Sequence, residues 1–429
     1  MFFRHSKGLR LLVMTEMWER FSFYTLRSLM VLYMTATLMD GGLGWTKGEA
    51  LRVYGFYIGA AYLMPIVGGY FADRFLGQRR STMIGAILMA VGHFLMAFND
   101  LWFFYGALTL VAVGNGFFKP CLTSILGELY NDASESQRDS AYSLFYMGIN
   151  IGAFAAGIVA GWALQAYGFD LGFSIAGFGM LLSLLLFWSG KNKYLGTAGL
   201  KPQVRKDNDH IKPLTAEQKS RVGVIVFLFL MMIFYFIAWE QMGGLVTLFI
   251  HESVNRTVGG WEIPTPWLAN IDPFMIVFLA PLLSLLWVWL GRRGRDPFLG
   301  AKFGIGFALS GIAFLLIAWL STLDRPNWGW MVLYKFIVVV GELCVIPISW
   351  AAVTNLSPVS YTTRMMGLML AGIGIGSYIA GYVGSFVDQL GETFIFYCLM
   401  GGLFFFSIVC FAMNPKLKKM SRHTKFNPS

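Results

Sequence analysis

The sequence predicts an all-α integral membrane protein of twelve transmembrane helices, arranged as two six-helix bundles. Three observations lead there. The 429 residues are 56% hydrophobic and only 13% charged, where a soluble domain carries roughly a quarter charged residues. Apolar runs that reach the ~20 residues a bilayer helix needs recur from end to end, with no sign of the short alternating strands of a barrel. One long polar stretch, "KNKYLGTAGLKPQVRKDNDHIKPLTAEQKS" (191–220), divides these runs six and six.

Taken in order, spans are expected near 11–38, 51–72, 81–98, 101–120, 140–165, 170–190, 221–250, 271–291, 301–320, 330–355, 363–387 and 392–413. The first follows a basic head, "MFFRHSKGLR", which resembles the start of a signal peptide. A cleavable apolar core would be shorter and would lack Glu and Arg, so this is read as an uncleaved first span. "GGYFADRFLGQRRS" (68–81) joins spans two and three, and "WLGRRGRDPFLGAKFG" (289–304) joins eight and nine at the matching place of the second half. Both mix Gly and Asp with several basic residues. The expected organisation is an N-terminal bundle (1–190), a cytoplasmic linker (191–220), a C-terminal bundle (221–413) and a cytoplasmic tail (414–429).

The net charge of +10 reports topology. Twelve spans put both termini on one side, and 25 of the 33 Lys and Arg fall there, against Lys47, Arg52, Arg256 and Arg325 on the other. That is the positive-inside pattern, which predicts cytoplasmic termini in a plasma membrane, or a bacterial inner membrane in a prokaryote. It removes the reason to expect nucleic-acid binding. Cys121, Cys344, Cys398 and Cys410 are scattered through spans without CxxC spacing and read as small packing residues. No nucleophile–base pair or metal-ligand cluster stands out, so neither an enzyme nor a cofactor site is expected. The sequon at Asn255 matters only in a eukaryote. The Gly run "AGIGIGSYIAGYVG" (371–384) reads as close helix approach rather than nucleotide binding. His93 and His251 are assigned no role, and Lys335 is expected to snorkel.

Ionisable residues inside spans face the protein interior and mark function by default. At 100° per residue, Glu16, Glu19, Arg20, Phe23, Tyr24 and Arg27 form one stripe of the first span, with an apolar remainder toward lipid. Glu16 and Arg20 stand at i, i+4, a spacing that permits an ion pair. The alternative is a packing pair that fixes this helix against its neighbours. Further deep charges are Lys119, Glu240, Asp272 and Glu342. Displaced by half the chain, Glu240 matches Glu19 and Glu342 matches Lys119. The N-terminal half offers the cations Arg20, Arg27 and Lys119 beside Glu16 and Glu19, and the C-terminal half only acids. Cations on one wall and acids on the other suit a zwitterion with separated carboxylate and ammonium. Tyr24, Tyr62 and Phe236 share helices with these charges or with the domain interface and are candidate lining residues.

The duplicated six-span layout resembles the major facilitator superfamily, with Asp73, Arg74, Gly77, Arg79 and Arg80 of its basic loop in place. Within it, "EMWERFSFY" (16–24) resembles the ExxERFxYY motif of proton-dependent oligopeptide transporters. "YLMPIVGGYFADRFLGQRR" (62–80), "GNGFFKPCLTSILGELY" (114–130), "YSLFYMGINIGAF" (142–154), "EQMGG" (240–244) and "GELCVIPISWAAVTNLSP" (341–358) resemble further segments of that family. The resemblance implies a symporter importing di- and tripeptides with protons by alternating access, with no cofactor beyond the proton gradient and no obligate protein partner. It implies that Glu16, Glu19, Arg20 and Glu240 couple the proton. It also implies salt-bridge gates Arg27–Glu240 and Lys119–Glu342. Arg27 and Lys119 would meet the peptide carboxylate and Glu342 its amino terminus. Tyr24, Tyr62, Asn150 and Phe236 would line the pocket.

The sequence also departs from the family pattern. Phe23 replaces a motif Tyr, Thr25 a usual Gly, Asp272 a usual Asn before Pro, and Met369 a common Trp. Phe23 and Thr25 are thus expected to alter the pocket, and Asp272 either adds an acid on the amine side or titrates. The polar linker cannot hold the two extra helices of many bacterial members, and the short loop 321–329 excludes a large external domain. The rival readings are a carrier of another small solute on the same fold (an amino acid, nitrate or a peptide-like drug) and a non-transporting membrane sensor.

Overall fold

The computed structural model describes residues 6–98, 100–202, 214–358 and 361–421. The centre of the expected linker (203–213) and the end of the expected tail (422–429) lie outside the described residues. The described helices are α1 (Lys7–Thr35), α2 (Lys47–Phe71), α3 (Gln78–Leu95), α4 (Leu101–Leu129), α5 (Glu135–Tyr167), α6 (Phe169–Tyr194) and α7 (Ala216–Trp239). There follow the short α8 (Leu245–Glu252) and α9 (Thr265–Ala269), then α10 (Asp272–Arg292), α11 (Leu299–Leu320), α12 (Gly329–Leu356), α13 (Thr362–Gly384), the short α14 (Val387–Leu390) and α15 (Glu392–Met420). Among the described residues, each expected span thus meets one long helix. Ten of the described spans are long and apolar enough to cross a membrane. The exceptions are α1, which carries the buried charges, and α3, which opens on the polar turn Gln78-Arg79-Arg80-Ser81-Thr82.

Helix starts follow local side-chain acceptors. Ser134 with Gln137 and Thr215 with Gln218 form reciprocal capping boxes at α5 and α7. Asp100 accepts from the Trp102 amide at 2.8 Å and opens α4. Span seven is not the continuous helix expected over 221–250: it breaks after Trp239 into a 3₁₀ turn, Glu240–Met242, before α8 begins. The adjacent Gly243 and Gly244 explain the break, since glycine resists the helix interior. The loop between α8 and α9 carries a two-stranded hairpin, β1 (Thr257–Val258) and β2 (Trp261–Glu262), turned by Gly259 and Gly260 at φ 58° and 85°. The last helix runs to Met420, through the start of the expected tail.

Packing divides the chain into two compact units that do not follow a single cut at the polar stretch. The first holds α1, α2 from Phe56 onward, α3 to α6, and Ile263–Pro273 with α9. The second holds Lys47–Gly55 at the start of α2, α7, α8, the hairpin, and the chain from Phe274 through α15. Within the second unit, Lys47 pairs with Glu252, and the Gly48 amide donates to Asp388 at 2.9 Å. At Gly55 a Cβ would lie 2.4 Å from Gly381 Cα, so this crossing tolerates only glycine. Within the first unit, Trp267 Nε1 donates to the Ile158 carbonyl at 3.0 Å.

Two expectations are corrected here. The first span has no apolar face left for lipid along most of its length, because 22 of the 29 residues of α1 are buried. Ser22 Oγ donates to the Ala176 carbonyl at 2.6 Å, and Ser183 Oγ on α6 donates back to the Thr15 carbonyl at 2.7 Å. Lys335 does not snorkel: its exposure is 0%, in the interior of the second unit.

Candidate functional site

In the first unit the site is built around Arg20, 3% exposed on α1. Its Nε lies 3.3 Å from Glu16 Oε1, one turn away, as the i, i+4 spacing requires. The same Nε–H and an Nη2–H donate to the two oxygens of the Glu19 carboxylate. Nη2 also donates to Asn115 Oδ1 on α4 at 3.1 Å, and Asn115 Nδ2 donates to the Ala61 carbonyl on α2 at 2.8 Å. One guanidinium therefore ties α1 to α4 and, through Asn115, to α2, its Nε and Nη2 meeting two carboxylates and an amide. Burying charges costs several kcal/mol per ion, which this pairing offsets in part; Glu16 Oε2 is buried without a hydrogen-bond partner.

The motif departures now have a structural account. The Phe23 ring centroid lies 5.0 Å from the Arg20 guanidinium carbon and stacks on Tyr57 at 6.5 Å, so it is a buried cation platform. Thr25 Oγ1 donates to the Phe21 carbonyl of its own helix at 2.8 Å and is fully buried. Neither residue alters an open surface directly. Met369 is likewise buried.

Lys119 is positioned by a close crossing of α2 and α4. A Cβ on Gly68 would lie 2.2 Å from the Gly116 carbonyl oxygen, so the two backbones touch. Pro120, one residue beyond Lys119, cannot donate the helical bond to that same carbonyl. Lys119 Nζ sits 5.1 Å from the centroid of the Tyr62 ring and within electrostatic reach of Glu16, Glu19 and Arg20. Tyr24 and the buried Arg27 follow on α1, and Asn150 Nδ2 on α5 donates to the Tyr146 carbonyl at 2.8 Å. Asp272 opens α10, where an acid complements the helix N-terminus. Its segment packs with the first unit, in company with the cations rather than with Glu240 and Glu342.

In the second unit the two acids are held by neutral donors. Glu240, at the α7 break, accepts from Ser377 Oγ at 3.3 Å and from Tyr54 OH at 3.5 Å. The adjoining Gln241 Nε2 donates to the Ala380 carbonyl at 2.8 Å, which anchors the turn to α13. Glu342, mid-way along α12, accepts from Trp239 Nε1 at 2.9 Å. The Phe236 ring lies one turn before Trp239, with centroids 5.1 Å apart. Arg27 and Lys119 thus belong to the first unit, and Glu240 and Glu342 to the second.

Sequence reasoning assigned no role to Asn115, Trp239, Tyr54 or Ser377. Asn115 stands one helical turn before Lys119, and Trp239 directly precedes Glu240, so proximity to the charges was an available signal. Ser377 lay hidden in the Gly run. Replacing Asn115 by Ala is expected to lower stability by about 1–3 kcal/mol, because Arg20 and the Ala61 carbonyl lose buried partners. Thermal unfolding of the purified protein in detergent measures it.

A model of the POT family matches residues 79–210 and 195–397. The chain belongs to the POT family. It is similar to the peptide transporter YePEPT of Yersinia enterocolitica, 32% identical over 91% of this chain and 90% of that protein. The di-/tripeptide transporter of Lactococcus lactis subsp. cremoris is 29% identical over 86% of each chain. Among solved structures, a POT family transporter in complex with 5-aminolevulinic acid superposes with a TM-score of 0.91 at 25% identity, covering 97% of this chain and 98% of that one. This POT-family chain therefore has the major facilitator fold and is a multi-pass membrane protein of a transporter family, not an enzyme.

Proposed function

We propose that this protein imports di- and tripeptides together with protons, by alternating access across a plasma membrane, with both termini cytoplasmic. The observation that carries the reading is the segregation of charge within the spans: Arg27 and Lys119 in one unit, Glu240 and Glu342 in the other. A peptide zwitterion needs a cation for its carboxylate and an acid for its ammonium, as does 5-aminolevulinic acid, which the structural neighbour binds. The relatives named as peptide and di-/tripeptide transporters support the same substrate class.

In this reading Arg27 and Lys119 receive the carboxylate, and Glu342 the amino terminus. Tyr24, Tyr62, Asn150 and Phe236 line the pocket, and Asp272 tunes it from the side of the cations. Protonation of Glu240 releases Arg27, the substrate carboxylate replaces it, and one access state is favoured over the other. Lys119 and Glu342 form the second switchable pair. Glu16, Glu19 and Arg20 carry the coupling at the other end of the stripe. The driving force is the proton gradient, since each proton moving inward gains about 2.3 kcal/mol per 100 mV.

The test is uptake of labelled dialanine into proteoliposomes at two pH values, competed by dipeptides, tripeptides and single amino acids. Accumulation should require the gradient, and small peptides should compete. Uptake that persists undiminished without a gradient removes the coupling. Competition by amino acids but not peptides transfers the fold to another zwitterion.

A further inference from the structure

We infer that Trp239 is a positioning residue for Glu342: its indole N–H holds one carboxylate oxygen so that the other is presented to a substrate ammonium, which selects peptides with a free amino terminus. The inference rests on the role proposed for Glu342 and adds the group that gives that acid its orientation.

Four features support it. The indole Nε1 lies 2.9 Å from Glu342 Oε2, a bond of normal length to a side chain only 9% exposed. An indole N–H donates and never accepts, so it can hold a carboxylate and cannot itself bind an ammonium. Both ends of the bond are anchored. The Phe236 ring packs on the indole at 49° between planes, which limits its rotation. On α12, a Cβ at Gly341 would lie 2.8 Å from Ser310 Oγ and 2.9 Å from the Gly306 carbonyl oxygen, so the backbone beside Glu342 is pressed against α11. Finally, Trp239 is the last residue of α7 and Glu240 the first of the 3₁₀ turn. Glu240 and Glu342 are therefore linked through one peptide bond and the indole hydrogen bond.

The experiment compares N-acetyl-dialanine with dialanine as competitors of labelled dialanine in counterflow. Wild type should prefer the free amine. In W239F, which keeps an aromatic ring and loses the donor, that preference should fall about tenfold. W239H, whose ring N–H can still donate, should recover part of it. E342Q should abolish the preference, and W239F/E342Q should be no worse than E342Q alone. If W239F discriminates as wild type does, or if its effect adds to that of E342Q, the inference is overturned. If E342Q itself leaves discrimination intact, the assignment of Glu342 falls, and the inference with it. If E342Q abolishes discrimination and W239F does not, only the inference falls. Should W239F not fold, W239H decides alone, and loss of discrimination there overturns the inference.

Discussion

Arg20→Ala is expected to prevent accumulation of folded protein. The substitution strands the carboxylates of Glu16 and Glu19, which are 2% and 0% exposed, and removes the partner of Asn115. Breaking a buried pair by deleting one member costs about 3–5 kcal/mol, and here two acids lose the same cation. A folded protein holds only about 5–15 kcal/mol in total. Arg20→Lys should recover little, because an ammonium cannot reproduce the fork that meets Glu16, Glu19 and Asn115 together. The informative rescue is Arg20→Ala combined with Glu16→Gln and Glu19→Gln, which removes the stranded charges. That triple variant should regain much of the melting temperature and remain unable to concentrate peptide against a gradient. Yields, unfolding midpoints and uptake separate the two roles. A stable Arg20→Ala single variant would show that the acids find another compensation.

Glu240→Gln should leave the protein folded and abolish uphill uptake. The amide matches the carboxylate in volume, keeps one oxygen to accept from one of the hydroxyls of Ser377 and Tyr54, and offers its NH2 to the other, so stability should change by no more than about 1 kcal/mol. It cannot gain or lose a proton in the working range. If Glu240 carries the coupled proton, a potential of 100 mV supports an accumulation of about 50-fold in wild type and none in the variant. Counterflow of labelled peptide, which needs no net proton movement, should survive. Wild-type accumulation by this variant would move the coupling elsewhere, Glu16 and Glu19 being the first candidates.

The helices were legible in the sequence because bilayer physics leaves a simple trace: about 20 apolar residues, a basic bias on one side, and charges where spans should have none. The ion pair of Glu16 with Arg20 followed from spacing alone. The interruption at Glu240 was harder to see, since two glycines inside an apolar run also suit a continuous span that packs closely. The burial of α1 on nearly all sides was invisible to a helical wheel, which assigns a lipid face to any apolar arc. Phe23 and Thr25 were read as changes to a pocket, whereas a ring beneath Arg20 and a hydroxyl bonded to its own helix are facts of three-dimensional packing. The same holds for the donors on the two acids. Trp239 and Glu342 are separated by 103 residues, and Ser377 and Glu240 by 137, and nothing local couples them.

The charged first helix also bears on how the chain is made. At the centre of a membrane helix each Arg, Lys or Asp disfavours insertion by about 2.5–3.5 kcal/mol, and α1 is not among the ten spans apolar enough to qualify unaided. What satisfies Arg20 beyond its own helix is Asn115, which lies 95 residues downstream. At roughly 5–20 residues per second, translation reaches that partner on the order of ten seconds after the first helix emerges. Until then α1 has only its internal pairs, so its release alone into lipid is expected to be disfavoured until α4 emerges.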